Sequence, residues 1–214
     1  MAVKTLFPTR IYAAPLGPRS AALNHRLLDQ CEALAADDLA GRRWSQKHYL
    51  GGYTSYGSLC RLQETFAVFA ELERRLKPHA EAFAKALRYD LSGHDLAMTD
   101  CWANIMPAQV THSFHIHPLS FLSGTYYLQI PPKAAPIKFE DPRLGFMMSA
   151  PPRLKACPPA ERPFYSLKPK SGDVVLFESW LRHEVPASDN AAERISISFN
   201  YALLPKIKPR RGKR

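Results

Sequence analysis

The sequence is short of the features that would place it in a membrane or stitch it with disulfides. No stretch approaches the ~18 consecutive apolar residues of a membrane span. MAVKTLFPTR carries no apolar core of the length an export signal needs. Cysteine is scarce and scattered: Cys31, Cys60, Cys101 and Cys157 form no C-x-x-C pair. Together these absences argue against a disulfide scaffold and for reduced thiols in a cytoplasmic protein with no membrane contact. No internal repeat is present, which excludes a solenoid. Acid is missing from the last nine residues, KIKPRRGKR, which hold six basic groups of a net charge of +10 and leave +4 on the rest. A basic end of this kind, residues 205–214, is expected to be solvated, or to make weak contact with nucleic acid or another polyanion.

What is present fits one globular domain. The chain has 214 residues, 46% hydrophobic and 22% charged, enough for a sizeable core. Its 19 prolines fall mostly between apolar runs. The expected division is a mainly helical support region over 1–95 and a strand-rich core over 96–204, in one domain.

LFPTRIY is a short strand candidate. A helix is expected from Ser20, with Ser20 as its cap and Leu23, Leu27, Leu28, Cys31 and Leu34 at helical spacing, ending near Asp37–Gly41. HYLGGYTSYGSL then reads as a loop. A second helix fits Leu62 to about Tyr89, with Pro78 expected to divide it because proline lacks the N–H a helix interior uses. From Leu96 the pattern turns to strands: DLAMTDCWANIM, VTHSFHIH, LSGTYYLQI, IKFED, DVVLFESW and RISISFNYALL, with FYSLKPKSG leading into DVVLFESW. Gly145–Ser166 is proline-rich and irregular, a candidate lid or binding loop. The predicted fold is mainly β with N-terminal helices packed on a double-stranded β-helix, a jelly-roll or cupin-like core.

The chemistry concentrates in that β half. His115 and His117 stand one residue apart, and a strand of period two sends both side chains to one face. Two imidazoles on one face are half of a metal site. His183 follows the buried run DVVLFESW, and a jelly roll brings such distant strands together, so it is the candidate third ligand. An odd spacing from His115 puts His112 on the opposite face, outside the ligand set. In Arg194-Ile-Ser-Ile-Ser198, alternation puts Arg194, Ser196 and Ser198 on one face and Ile195 and Ile197 on the other. An inward arginine needs an anion, and its planar fork fits a carboxylate. The aromatic residues Tyr126, Tyr127, Phe139, Phe177 and Trp180 are candidates for a dry pocket wall.

HIHPLSFLSGTYYLQI, IKFED, SGDVVLFESWLRHEVPAS and ERISISFNY together resemble the iron(II)/2-oxoglutarate-dependent dioxygenases. The resemblance covers roughly Trp102–Tyr201, and the nearest subgroup is one of bacterial and phage oxygenases related to the prolyl hydroxylases. It implies a hydroxylase using iron(II), 2-oxoglutarate and dioxygen. Carried over, His115, His117 and His183 become the metal ligands. Arg194 with Ser196 or Ser198 would bind the remote carboxylate of 2-oxoglutarate, Tyr127 would reach the same carboxylate, and Asn104 would line the cosubstrate pocket. The family places Asp or Glu where this chain has His117. That departure keeps open a three-histidine metal dioxygenase or a cupin-like enzyme that does not use 2-oxoglutarate. A third class is a non-catalytic module that binds nucleic acid or ribosomes through the basic end. The primary substrate is left open between a protein side chain and a small molecule.

Overall fold

A computed structural model describes residues 2–206. Its strands, in chain order, are β1 (Ile11–Pro15), β2 (Tyr53–Thr54), β3 (His94–Met106), β4 (His112–His115), β5 (Leu122–Gln129), β6 (Ile137–Glu140), β7 (Phe164–Leu167), β8 (Asp173–Glu178), β9 (His183–Val185) and β10 (Arg194–Pro205). They form two antiparallel sheets. The larger runs β1-β8-β5-β10-β3-β2 and the smaller β4-β9-β6-β7. Strands far apart in sequence thus lie side by side in both sheets, which makes a jelly roll.

The central strand β10 shows how the sequence sets the two faces. Ile195, Ile197, Phe199 and Tyr201 are buried on the outer face of the large sheet. Arg194, Ser196, Ser198 and Asn200 alternate with them and point between the sheets, where they line a cavity. The outer face is covered by α1 (Ser20–Asp37) and α4 (Ala67–Leu87). Leu23, Leu27, Cys31 and Leu34 of the first pack with Phe69, Leu72, Leu76 and Phe83 of the second in one core cluster with the sheet. Each such fully buried Leu or Phe contributes roughly 1.5–3 kcal/mol. The inner face of the large sheet supplies a second cluster of Tyr127, Val175 and Phe177 with Ile137 and Phe139 of the small sheet.

Four sequence expectations change. Ser20 is the first residue of α1 rather than its cap. Arg19, in the left-handed region at φ 59°, precedes it without a side-chain cap bond. A further helix, α2 (Leu39–His48), occupies chain that was expected to leave the helical state near Gly41; Asp38 caps it by accepting from the Gly41 N–H at 2.8 Å. Pro78 lies inside α4 and does not divide it. Buried Leu76, Ala80 and Phe83 flank the proline, so packing on the sheet outweighs one missing hydrogen bond. The break falls instead at extended Phe66, between α3 (Leu62–Thr65) and α4. LFPTRIY becomes a strand only from Ile11. At the other end β10 includes Pro205, and the Lys206 N–H donates to the Gly93 carbonyl at 2.9 Å. The rest of the basic end lies outside the described residues.

Candidate active site

The site is built between the sheets, at one end of β4 and β9. These two strands pair antiparallel with His115 directly opposite His183. Their imidazole rings sit 4.3 Å apart, centre to centre. His117 lies two residues past the end of β4 rather than within the strand. Its backbone N–H donates to the Ser179 carbonyl at 2.9 Å, which ties it to the chain leaving β8. One ligand atom from each of His115, His117 and His183 falls within 4.8 Å of the others.

All three rings are held in one tautomer. The Nδ1–H of His115 donates to the Ser113 carbonyl at 2.7 Å, and that of His183 to the Leu181 carbonyl at 2.9 Å. A carbonyl can only accept, so the proton must sit on Nδ1 and the lone pair on Nε2. His117 Nδ1 faces Asn200 Oδ1 at 2.7 Å, and Ser123 Oγ donates to the same oxygen at 2.8 Å. Three Nε2 lone pairs are therefore left facing one another. His117 Nε2 is buried without a protein partner. Burial lowers the pKa of His183 to about 2 and that of His117 to about 4, and it also lowers that of His115. Neighbouring histidines push the first two the same way. The rings are thus neutral at ordinary pH, the form a metal requires. The donor set fits a divalent metal such as iron, with imidazole nitrogen as its only protein ligand.

Arg194, six residues along β10 from the Asn200 that His117 meets, also lines the cavity and is only 5% exposed. Its Nη1 lies 3.1 Å from the Met106 sulfur, a weak acceptor, and its Nε is buried without a partner. No Asp or Glu lines the cavity among the described residues. A buried guanidinium without a carboxylate is costly, and an anionic ligand supplies what it lacks. Ser196, Ser198 and Asn104 line the same wall, with Asn104 Nδ2 donating to Ser198 Oγ at 3.1 Å. Asn104 Oδ1 is buried without a partner. Tyr127 stands behind the arginine rather than on the cavity wall: the guanidinium carbon lies 5.1 Å from its ring centre.

The match to known proteins agrees with this geometry. Residues 100–200 match the family model described as "Putative 2OG-Fe(II) oxygenase". Those residues, a little under half of the chain, are similar to the 2OG-Fe(II) oxygenases. The solved structure of the epimerase SnoN from nogalamycin biosynthesis, in complex with Fe3+, alpha ketoglutarate and nogalamycin RO, is 14% identical with a TM-score of 0.64, over 96% of this chain and 88% of that one. HygX from Streptomyces hygroscopicus, with nickel, 2-oxoglutarate and hygromycin B bound, is 14% identical with a TM-score of 0.59, over 91% and 83%. A prolyl-4-hydroxylase from Pseudomonas putida is 17% identical with a TM-score of 0.57, over 91% and 93%. These likenesses show a shared fold. The search of curated proteins finds no match.

Four lining residues with no place in the sequence reading of the site are notable. His112 faces the cavity with the other histidines. The β4–β9 pairing shifts register between His112 and His115: three steps along β4 oppose two along β9. The extra residue is a β-bulge, which brings His112 back to the face that strict alternation denies it. Tyr49, just past α2, and Trp44 within it also line the cavity, followed by Tyr56. The Asp38 cap was the local signal for α2. Conversely, none of residues 145–166 lines the cavity, so the expected lid does not border it. Of the five aromatic candidates only Phe177 is on the wall; Tyr126 packs in the core cluster shared with the helices, and Trp180 is 47% exposed.

Proposed function

We propose that this chain is an iron(II)- and 2-oxoglutarate-dependent dioxygenase that hydroxylates its primary substrate, with His115, His117 and His183 holding the metal. The observation that carries the reading is the pairing of two unmet demands in one cavity. Three imidazole ligand atoms cluster in it, and a buried arginine without a carboxylate lines it as well. A metal-chelating dicarboxylate answers both. In this reading Arg194 pairs with the remote carboxylate, Ser196, Ser198 and Asn104 add hydrogen bonds or line its pocket, and Tyr127 supports the guanidinium from behind. Iron(II), 2-oxoglutarate and dioxygen supply the oxidation of a C–H bond. The protein supplies position, a fixed tautomer at each ligand and a restricted approach for water.

Burial of Arg194 on the metal-facing cavity favours this reading over a three-histidine or cupin-like enzyme that has no use for 2-oxoglutarate. Without a carboxylate ligand, a divalent metal and Arg194 carry three positive charges against two on the cosubstrate. The loaded site therefore favours a neutral or anionic primary substrate over a cation. SnoN and HygX were solved with small molecules bound, and a Trichoplax adhaerens prolyl hydroxylase with a peptide fragment. Both a small molecule and a protein side chain are accordingly admitted here. No helix among the described residues is long and apolar enough to cross a membrane. The four cysteines are free, in keeping with a cytoplasmic, reducing setting. The basic end is assigned weak polyanion contact at most.

The direct test is succinate release from 2-oxoglutarate by the purified chain, with and without added iron(II). Iron-dependent succinate is expected. Metal binding without 2-oxoglutarate binding or turnover would reject the reading in favour of the alternative metal enzyme.

A further inference from the structure

We infer that the loops at the histidine end of the small sheet form a docking surface for an anionic lipid membrane. The pairings of that sheet set His115, His183, Phe139 and Tyr165 side by side across its four strands. One step further along, the chain leaves the sheet in three connections: 116–121 after β4, 179–182 before β9, and 141–163 between β6 and β7. Backbone bonds tie their bases together. The Glu140 N–H donates to the Arg182 carbonyl at 2.9 Å, and the Asp141 N–H to the Pro163 carbonyl at 2.8 Å. The first connection borders the cavity through Ile116 and Pro118, so a chain docked here holds the cavity rim at the lipid surface.

Three observations carry the inference. Six of the fifteen large apolar side chains that the fold leaves exposed belong to these connections: Ile116, Leu119, Phe146, Met148, Leu154 and Trp180. Single exposed apolar residues are ordinary, but a gathering at one end marks an interaction surface. Next, Leu119 is fully exposed and its backbone lies in the left-handed region at φ 66°, which a leucine adopts at a cost and a glycine freely. The fold gains neither packing nor an easy backbone from leucine there, so its contact lies outside the chain. Finally, the charge around the tips is basic. Arg143 takes up Asp141 and Arg182 takes up Glu140, each at 2.8 Å, which leaves Arg153, Lys155 and Arg162 against Glu161 within 141–163. Phe146, Met148 and Leu154 are each more than four-fifths exposed and do not line the cavity, so they present tips rather than a groove for a partner's side chain. Apolar tips with arginine and lysine beside them, and a tryptophan nearby, match the boundary between lipid headgroups and acyl chains. That boundary yields to any tip shape, and its anionic headgroups meet the unpaired cations. The sequence expectation of no membrane contact follows from the lack of a spanning run, which such a surface does not need.

The test is co-flotation of the full chain with vesicles, one set of phosphatidylcholine alone and one of equal parts phosphatidylcholine and phosphatidylglycerol. Wild type is expected to float with the mixed vesicles and to bind the neutral ones roughly tenfold more weakly or less. Phe146→Ser and Met148→Ser each remove an apolar tip at unchanged charge, and each is expected to weaken binding to the mixed vesicles roughly tenfold. Leu119→Gly is expected to do the same at an unchanged melting temperature, since relief of the left-handed backbone offsets a looser unfolded chain. A basic chain can also meet anionic vesicles through charge alone, residues 207–214 included. Variants that all bind as wild type does would show that, and they overturn the surface. Wild type that floats with neither set of vesicles overturns it too, and leaves the loops to a polypeptide partner. A lowered melting temperature in all three variants also overturns it, since the side chains would then serve the fold. Metal and 2-oxoglutarate take no part in the measurement, so its failure is distinct from a failure of the proposed function.

Discussion

His117 gives its Nδ1 proton to Asn200 Oδ1 across 2.7 Å, and Asn200 in turn sits 3.4 Å from the Asp100 carboxylate through its Nδ2. A carboxylate therefore stands behind the second ligand, separated from the imidazole by one amide. The amide fixes the ring's orientation and tautomer and leaves the imidazole neutral. Removing this support is expected to cost metal affinity about 10- to 100-fold. Asn200→Ala is the variant, and competitive metal titration the measurement. Wild-type affinity would show that His117 needs no such partner or does not bind the metal.

His183 faces His115 as its register partner, so its loss leaves two ligands from one short segment and none from β9. His183→Ala is expected to abolish stoichiometric iron(II) binding. Metal content of the purified variant decides it, and unchanged occupancy would remove His183 from the ligand set.

Arg194 separates cosubstrate from metal. Arg194→Ala is expected to lower 2-oxoglutarate affinity by roughly a hundredfold, the lost charge-assisted pairing being worth about 2–3 kcal/mol. Iron(II) binding should persist, because the histidine cluster does not include the guanidinium. Calorimetry giving equal 2-oxoglutarate affinities would dismiss the assignment.

How far the residues announce this arrangement depends on how local their signals are. Alternation along β10 predicts the inward face of Arg194, Ser196 and Ser198, and the same period extends to Asn200. His115 and His183 follow from strand-like runs whose apolar content is unmistakable. His117 reaches the site for a different reason from the one period two suggests: it lies past β4 and is placed by the Ser179 carbonyl. His112 is misplaced by alternation because a bulge adds a residue, and nothing in HSFHIH marks it. The short α2 buries only Gly41 and Ser45, so it carries no apolar stripe to read. Tyr49 and Trp44 at the cavity are consequences of that helix and of tertiary contacts that no spacing encodes.

The histidine cluster should make the metal-free protein sensitive to acid. An unfolded histidine titrates near 6.5, whereas burial lowers the folded values to about 2 for His183, about 3 for His112 and about 4 for His117. Between those values and 6.5 the unfolded chain binds more protons than the folded one. Stability is therefore undiminished above about pH 7 and falls as the pH drops below 6.5. The slope for buried His183 alone is roughly 1.4 kcal/mol per pH unit. Thermal melting of the metal-free chain at pH 7 and pH 5 checks the sign, with the lower melting temperature expected at pH 5. Equal values would mean that the rings are open enough to water to titrate normally.

The aromatic wall rests on a glycine. A Cβ at Gly57 would lie 2.2 Å from Trp44 Cγ, so the indole packs directly on the backbone there. Gly57→Ala must displace either the ring or the Tyr56–Ser58 turn. Both neighbours matter to the cavity, since Trp44 and Tyr56 line it and the Ser58 hydroxyl donates to Asp38, the cap of α2, at 2.5 Å. The expected cost is about 1–3 kcal/mol of stability, typical of overpacking. Tryptophan emission should change as the indole moves. Iron(II) and 2-oxoglutarate affinities should stay within about twofold of wild type, because neither the ligand histidines nor Arg194 touches Gly57. A variant with unaltered melting temperature and emission would show that Trp44 already has room to move. The indole would then be no fixed part of the wall.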